Sequence, residues 1–306
     1  MISFYTIARF FCFLLLQVHL FSGQVIPIAV VGSGPAGLSA ALVTGRSGYE
    51  THLFLGGQPG GPLSSKAKIN NWPGSVKEAP IVPRLMDQLD LPMVTMHSDS
   101  IVKADLSSHP FTLQTESGKT YQAQTVIITT GSVSTKLQVA GADRYLKKDN
   151  AQDVVAIVGG GDDAANKALK AANMAKKVYI LVRGNKLAKA EKIAARENIQ
   201  VLYQTEIQEI VGNGKKMTGL ILKNGQHLSA SDVMMAVGVE PNTRVFEKDL
   251  ALDENGIILL EGRTQKTSIP GVFAAGGVTD RRYQKAITSA GDGTKAGLDA
   301  IEFLRN

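Results

Sequence analysis

Two rhythms alternate along this chain. Short apolar, β-branched runs stop at glycine, and alanine-rich stretches with helical spacing follow them. The first run, Ile28-Ala29-Val30-Val31, breaks into Gly32-Ser33-Gly34-Pro35-Ala36-Gly37, continues as a helix over 38–46 and returns as a strand over 52–55. A loop rich in Gly, Pro and Ser occupies 56–74. A polar meander over 101–123 contains the alternating segment Phe111-Thr112-Leu113-Gln114-Thr115, and a strand over 125–129 runs into Thr130-Gly131. From about 153 to 238 the plan repeats. A strand meets Gly159-Gly160-Gly161-Asp162-Asp163-Ala164, and then come a helix over 164–175, a strand over 178–182 and a helix over 187–198. A further strand, a hairpin at Asn224-Gly225 and a strand over 233–237 end at Gly238. Val272-Phe273-Ala274-Ala275-Gly276-Gly277 and a helix over 284–304 close the chain.

The two glycine turns carry the chemistry. In a strand–turn–helix of the G-x-G-x-x-G or G-x-G-x-x-A kind, the first glycine permits the tight turn. The second lets a pyrophosphate approach the backbone, and the third small residue lets helix and strand pack closely. The helix N-terminus then presents unpaired N–H groups and partial positive charge to phosphate. One such turn is weak evidence; two, each in the right context, point to two dinucleotide sites. The expected fold class is α/β, with two interleaved Rossmann-like dinucleotide-binding domains, the second inserted into the first. The expected boundaries are a leader over 1–23, a first domain over 24–146 and 239–306, and a second over 147–238.

Charge and cysteine usage narrow the chemistry. Lys and Arg number 33 against 27 Asp and Glu, a net +6, but the basic residues are dispersed, so nucleic acid is not an expected partner. The only cysteine is Cys12, inside the leader. A mature chain without it forms no internal disulfide or thiolate metal site and holds no cysteine nucleophile. The five histidines lack metal-ligand spacing, so no metal is expected. Arg9 followed by the apolar stretch 10–18 has the length of a signal-peptide core and is short for a bilayer span. The expectation is export through a secretory route with no stable membrane span afterwards; the alternative is an anchor formed by an uncleaved leader.

Several segments together resemble the low-molecular-weight thioredoxin reductases, over nearly the whole chain after the leader. They are 31–38, Gly57-Gln58-Pro59-Gly60-Gly61, Asn71-Trp72-Pro73-Gly74, Thr130-Gly131, 158–161, Ala236-Val237-Gly238-Val239-Glu240-Pro241-Asn242-Thr243, 269–276 and the closing helix from Tyr283. The resemblance implies a homodimer with FAD on the outer domain and NAD(P)H on the inserted one. The candidate cofactor-binding residues are Gly32, Gly34, Pro35, Ala36, Gly37, Gln58, Asn71, Thr130, Gly131, Gly159, Gly161, Ala164, Arg183, Lys189, Gly238, Gly276, Lys285 and Ala286. No catalytic acid or base is assigned, as hydride transfer requires none. Arg183, Lys186 and Lys189, with no carboxylate nearby to hold a free 2′-hydroxyl, suit NADPH over NADH, although Gly184 thins the basic cluster.

The departures from the family matter as much. Its Cys-x-x-Cys pair falls just before the second glycine turn, and here 139–149 runs straight into Asp153-Val154-Val155 without it. Disulfide reduction is therefore not expected. At the end of the second strand Leu55 stands where an acidic ribose ligand is expected, a contact worth roughly 1.5–3 kcal/mol. Pro62, Gly277 and Lys285 replace further polar contacts, so FAD is expected to bind weakly. Three readings follow: an NADPH-dependent flavin oxidoreductase passing electrons to a small non-disulfide acceptor; a nucleotide-binding pseudoenzyme or scaffold; or a decayed product without selected activity.

Overall fold

The computed structural model describes residues 24–63, 72–73, 80–135, 137–146 and 153–306. The leader, Asn71 and the 147–152 junction lie outside the described residues. The chain divides into two compact units, one of 1–131 with 241–306 and one of 132–240.

In the first unit, strand β1 (Ile26–Val31) leads through the first glycine turn into helix α1 (Pro35–Arg46) and strand β2 (Thr51–Phe54). Helix α2 (Ile81–Asp87) and strands β3 (Val94–His97), β4 (Ile101–Asp105), β5 (Phe111–Thr115) and β6 (Thr120–Ile128) follow. The sheet order is β3-β2-β1-β6-β5-β4. β1 is parallel to both neighbours, with Val30 opposite Leu53 and Ile127. The meander is antiparallel, and β6 serves both parts: its first half pairs with β5 and its second half with β16 (Val272–Ala274). The expected strand over 125–129 is thus the end of a nine-residue strand. Its central position explains the apolar run Val126-Ile127-Ile128, each fully buried.

One apolar cluster lies on each face of this sheet. Ala29, Val31, Phe54, Val126, Ile128 and Phe246 sit on one side; Ile28, Val30, Leu38, Leu53, Leu55 and Ile127 sit on the other, under α1. The last helix, α6 (Ala286–Arg305), packs against α1 so closely that only glycine fits at the crossing. A Cβ on Gly293 would lie 2.0 Å from the Ala36 carbonyl oxygen, and one on Gly297 would lie 2.4 Å from Val43 Cγ1.

The second unit opens with β7 (Ser132–Ser134) and helix α3 (Ala142–Tyr145), then repeats strand, turn and helix as β8 (Val154–Val158) and α4 (Asp162–Ala171). β9 (Lys177–Val182), helix α5 (Ala190–Ala194), β10 (Ile199–Tyr203), β11 (Ile207–Gly212), β12 (Met217–Leu222), β13 (His227–Ser229), β14 (Asp232–Met235) and β15 (Val239–Pro241) follow. The parallel sheet β10-β9-β8-β14 is accompanied by the antiparallel β11-β12-β13 and the pair β15-β7. Gly225, at φ +82°, makes the tight turn of the expected Asn224-Gly225 hairpin between β12 and β13.

Three expectations shift. The helix expected over 187–198 shrinks to Ala190–Ala194, because Lys189 before it adopts φ +55° and 195–198 turn into β10. The helix expected over 164–175 runs over 162–171 and ends in turns. The unit boundary falls after Gly131 rather than 146, since β7 pairs with β15 and α3 packs on β11.

The edge of the first sheet carries a hydrogen-bonded histidine pair. His97 Nε2 lies 3.1 Å from His52 Nδ1, and His52 Nε2 lies 3.2 Å from Glu50 Oε1. His97 stacks on Phe54 at 4.8 Å, and the Tyr121 hydroxyl stands 3.5 Å from its other nitrogen. With both rings neutral, one proton order satisfies the chain: His97 donates to His52, and His52 donates to Glu50. Burial foremost, then the His52 and Lys119 charges, hold His97 below the usual imidazole range against an opposing pull from Asp99. A depressed imidazole pKa means that folding favours the neutral ring. The stability it contributes is full above about pH 6.5 and is lost as pH falls through the lower folded value. Urea midpoints are therefore expected to drop between pH 7.5 and 5.5, and a His97→Phe variant is expected to lose part of that dependence. An unchanged slope in the variant would place the acid sensitivity elsewhere.

Candidate dinucleotide sites

Both glycine turns show the same division of labour. In the first, Gly32 has φ +111°, and a Cβ there would lie 2.5 Å from the Thr129 carbonyl oxygen. On Gly37 a Cβ would lie 1.8 Å from the Gly32 carbonyl oxygen. Both glycines are demanded by the protein's own packing. Gly34 is different: it has φ −66° and ψ 178°, which any residue adopts, and a Cβ there meets nothing within 4 Å. The second turn repeats this. A Cβ on Gly159, at φ +141°, would lie 2.2 Å from the Ala236 carbonyl oxygen, whereas one on Gly161 meets nothing within 4 Å. Ala164 is fully buried where α4 meets the sheet. A glycine that packing does not require, placed at a helix N-terminus with no side-chain cap, fits an approaching anion. Both turns thus leave room for a phosphate group at the start of a helix.

Around the first turn the fold gathers most of the assigned segments. Pro35 opens α1, and Ala36 is buried against Gly276, whose Cβ position lies 3.1 Å from the Ala36 Cβ. Ser33, buried, donates to the Leu55 carbonyl at 2.6 Å and accepts from the Gly60 N–H at 3.2 Å. This ties the loop holding Gln58 to the turn, and Gln58 itself is exposed. Thr129 donates to the Val31 and Gly32 carbonyls at 2.9 and 3.0 Å, fixing the turn from β6. Beyond it, Thr130 donates to the Asn242 carbonyl at 2.6 Å, and Gly131 has open space before its α-carbon. Lys285 is exposed and precedes Ala286 at the start of α6. Asn71 lies outside the described residues. Ser33 and Thr129 escaped the sequence reading; a small polar residue inside a glycine turn and a threonine ending a buried strand were the available signals.

Leu55 ends up in the core. Its side chain is 6% exposed and belongs to the apolar cluster under α1. The position where the family resemblance implies an acidic residue is thus occupied here by a core side chain with no polar group to offer a ligand.

In the second unit a cleft of about 830 Å3 opens beside the second turn, a size typical of small-ligand sites. Gly159, Gly161, Arg183, Lys186 and Gly238 line it; Lys189 does not. Its walls carry both signs of charge. Glu206 pairs with Lys223 at 3.1 Å, and Asp163 pairs with Lys167 at 2.6 Å. Asp163 is therefore largely compensated at its helix start. Asp162 also lines the cleft, so its charged lining holds three acids and three bases; among the described residues Arg183 and Lys186 make no ion pair and are the bases free to meet an anion. Among the described residues no group of three or more His, Cys, Asp or Glu is placed to hold a metal ion.

Residues 26–293 match the family described as Pyridine nucleotide-disulphide oxidoreductase. A thioredoxin reductase of Rickettsia felis is 36% identical over 307 residues, covering 90% of this chain and 97% of its own. One from Dictyostelium discoideum is 32% identical, with the same shares covered. Among solved structures, thioredoxin reductase from Lactococcus lactis superposes with TM-score 0.77 at 25% identity, over 92% of this chain and 99% of its own. That from Giardia duodenalis superposes with TM-score 0.66 at 30% identity, over 93% and 100%.

Proposed function

The chain belongs to the pyridine nucleotide-disulphide oxidoreductase family, among the thioredoxin reductases, and from that premise we propose that it moves electrons from NADPH through FAD to a small acceptor that is not a disulfide. Membership in the family implies FAD and NADPH as the cofactors. The observation that carries the reading is the pair of packing-free glycines, Gly34 and Gly161, each open to an anion at the start of a helix. A bound flavin would supply hydride acceptance and onward electron transfer, which asks of the protein orientation and electrostatics rather than an acid or base. Gly34 and the uncapped start of α1 would receive the FAD pyrophosphate, with Ser33, Thr129 and Gly276 holding that cradle in shape. Gly161 would do the same for NADPH, and Arg183 and Lys186 would face its 2′-phosphate.

The acceptor class follows from the thiol inventory. A dithiol relay needs two cysteines, and the sequence holds one, Cys12, far from the second glycine turn in the chain. FAD retention is proposed to be weak, because Pro62, Gly277 and Lys285 bring no neutral polar side chain to the places where the family offers one. Homodimerisation and export by the leader complete the proposal, the uncleaved anchor being the alternative to export.

The test is the absorption spectrum of purified protein with added FAD, before and after anaerobic NADPH. With FAD in excess, a protein-bound flavin band at about 450 nm, a general property of oxidised flavin, that bleaches with NADPH is the expected result. Protein that neither perturbs the flavin spectrum nor bleaches it with NADPH at saturating FAD would overturn the oxidoreductase reading and leave a nucleotide-binding scaffold.

A further inference from the structure

Of the three basic side chains that follow β9, the fold treats Lys189 apart. Arg183 and Lys186 line the cleft of the inserted unit. Lys189 sits at φ +55° and ψ 35°, one of two non-glycine residues with positive φ among those described. Such a backbone is sparsely populated for a lysine and persists where its surroundings impose it. Its ammonium donates to Asn166 Oδ1 at 2.5 Å and stands 3.6 Å from Asp162 Oδ1. Both partners lie on α4, the helix that starts at the second glycine turn, and Asp162 directly follows Gly161. One lysine is thus tied to the rim of the phosphate cradle by a carboxylate that is part of that rim.

The tie is a weak one. The Lys189 side chain is 34% exposed and that of Asp162 77%, and ion pairs this open hold loosely. A phosphate monoester carrying close to two charges can compete for the ammonium. To reach it, however, Lys189 must leave Asp162, and the abandoned carboxylate then faces an incoming pyrophosphate. Exchanging one anion for another yields far less than meeting an anion from water.

Resting on the dinucleotide reading of this cleft, we propose that Asp162, with Asn166, holds Lys189 out of the cleft and thereby sets a low preference for 2′-phosphorylated over unphosphorylated adenine dinucleotides. Discrimination in the resting protein then falls to Arg183 and Lys186 alone. Asp162 is the specificity-determining residue, acting through the lysine it restrains. Asparagine at this position has nearly the same shape and removes the competing charge.

The test is calorimetric binding of two probes to the full chain: adenosine 2′,5′-bisphosphate and adenosine 5′-monophosphate. The chains compared are wild type, Asp162→Asn, Lys189→Met and the double variant, each confirmed folded by its melting transition. In the wild type the bisphosphate is expected to bind only a few-fold tighter than the monophosphate. Asp162→Asn is expected to raise that ratio about tenfold, on the order of one new charge-assisted contact. Lys189→Met should cancel the gain in the double variant and barely move the wild-type ratio. Equal gains for both probes would show a uniform loss of repulsion and overturn the proposal. So would an unchanged ratio in Asp162→Asn, or a wild-type ratio that falls as far on Lys189→Met as the ratio in the Asp162→Asn background. If neither probe binds any variant, the dinucleotide reading of the cleft fails and this proposal fails with it.

Discussion

Gly37→Ala is expected to cost the first unit its cooperative folding, while Gly34→Ala, the same single methyl three residues earlier, is expected to leave folding nearly intact and remove FAD retention. The contrast follows from where each methyl lands. On Gly37 it would sit 1.8 Å from the Gly32 carbonyl oxygen, a backbone atom of the same turn. No rotamer change relieves that contact, so α1 must move off β1 and break its packing with α6. The cost is expected to exceed about 3 kcal/mol, the upper range for overpacking where side chains alone cannot adjust. On Gly34 the methyl meets nothing within 4 Å and the backbone is already extended, so the stability loss is expected to stay under about 1 kcal/mol, the scale of a poorer N-cap. That open space is where a pyrophosphate would contact the backbone, and filling it should weaken FAD by roughly one to two orders of magnitude, about 1.4–3 kcal/mol. Urea denaturation and an equilibrium FAD titration followed by flavin fluorescence read the two quantities separately. Loss of folding in Gly34→Ala, or unaltered FAD retention in it, would remove the turn from the flavin site.

The second large effect concerns the acceptor. NADPH-dependent reduction of thioredoxin or of a small aromatic disulfide is expected to stay at the level of free flavin. That places it on the order of a thousandfold or more below a chain with a working dithiol, the scale on which removing a covalent nucleophile acts. A quinone or another two-electron acceptor, assayed with the same FAD-loaded protein, is expected to turn over above that background. Stopped-flow bleaching of the flavin by NADPH, followed by reoxidation with each acceptor in turn, separates the two half-reactions. Disulfide reduction that survives in a Cys12→Ser chain would refute the acceptor assignment, since no thiol would remain to carry it.

Much of the fold was legible because its elements are dictated locally. β-Branched runs ending at glycine, alanine-rich helices and an Asn-Gly hairpin each follow from short-range sterics, and each stands close to where the pattern puts it. The paired glycine turns were legible for the same reason: positive φ at Gly32 and Gly159 is a local backbone requirement. Helix α5 was not, because the left-handed Lys189 that shortens it lies in a stretch whose composition reads as helical throughout.

What the sequence determined by itself is the α/β class, the duplicated strand–turn–helix plan and the count of a single cysteine, all properties of neighbouring residues or of plain counting. What only the tertiary structure decided is the meaning of single positions. Leu55 proves to be a core side chain, 6% exposed, rather than a surface apolar residue at a strand end. Gly34 and Gly37 are the same residue in one motif, yet the room around the first and the carbonyl against the second separate ligand space from packing. Lys189 stands among basic residues in the sequence, and only the fold brings Asp162 and Asn166, 27 and 23 positions earlier, against its ammonium. Such distinctions depend on which distant atoms surround a side chain, and a linear pattern carries no information about contacts made by elements folded together from far apart.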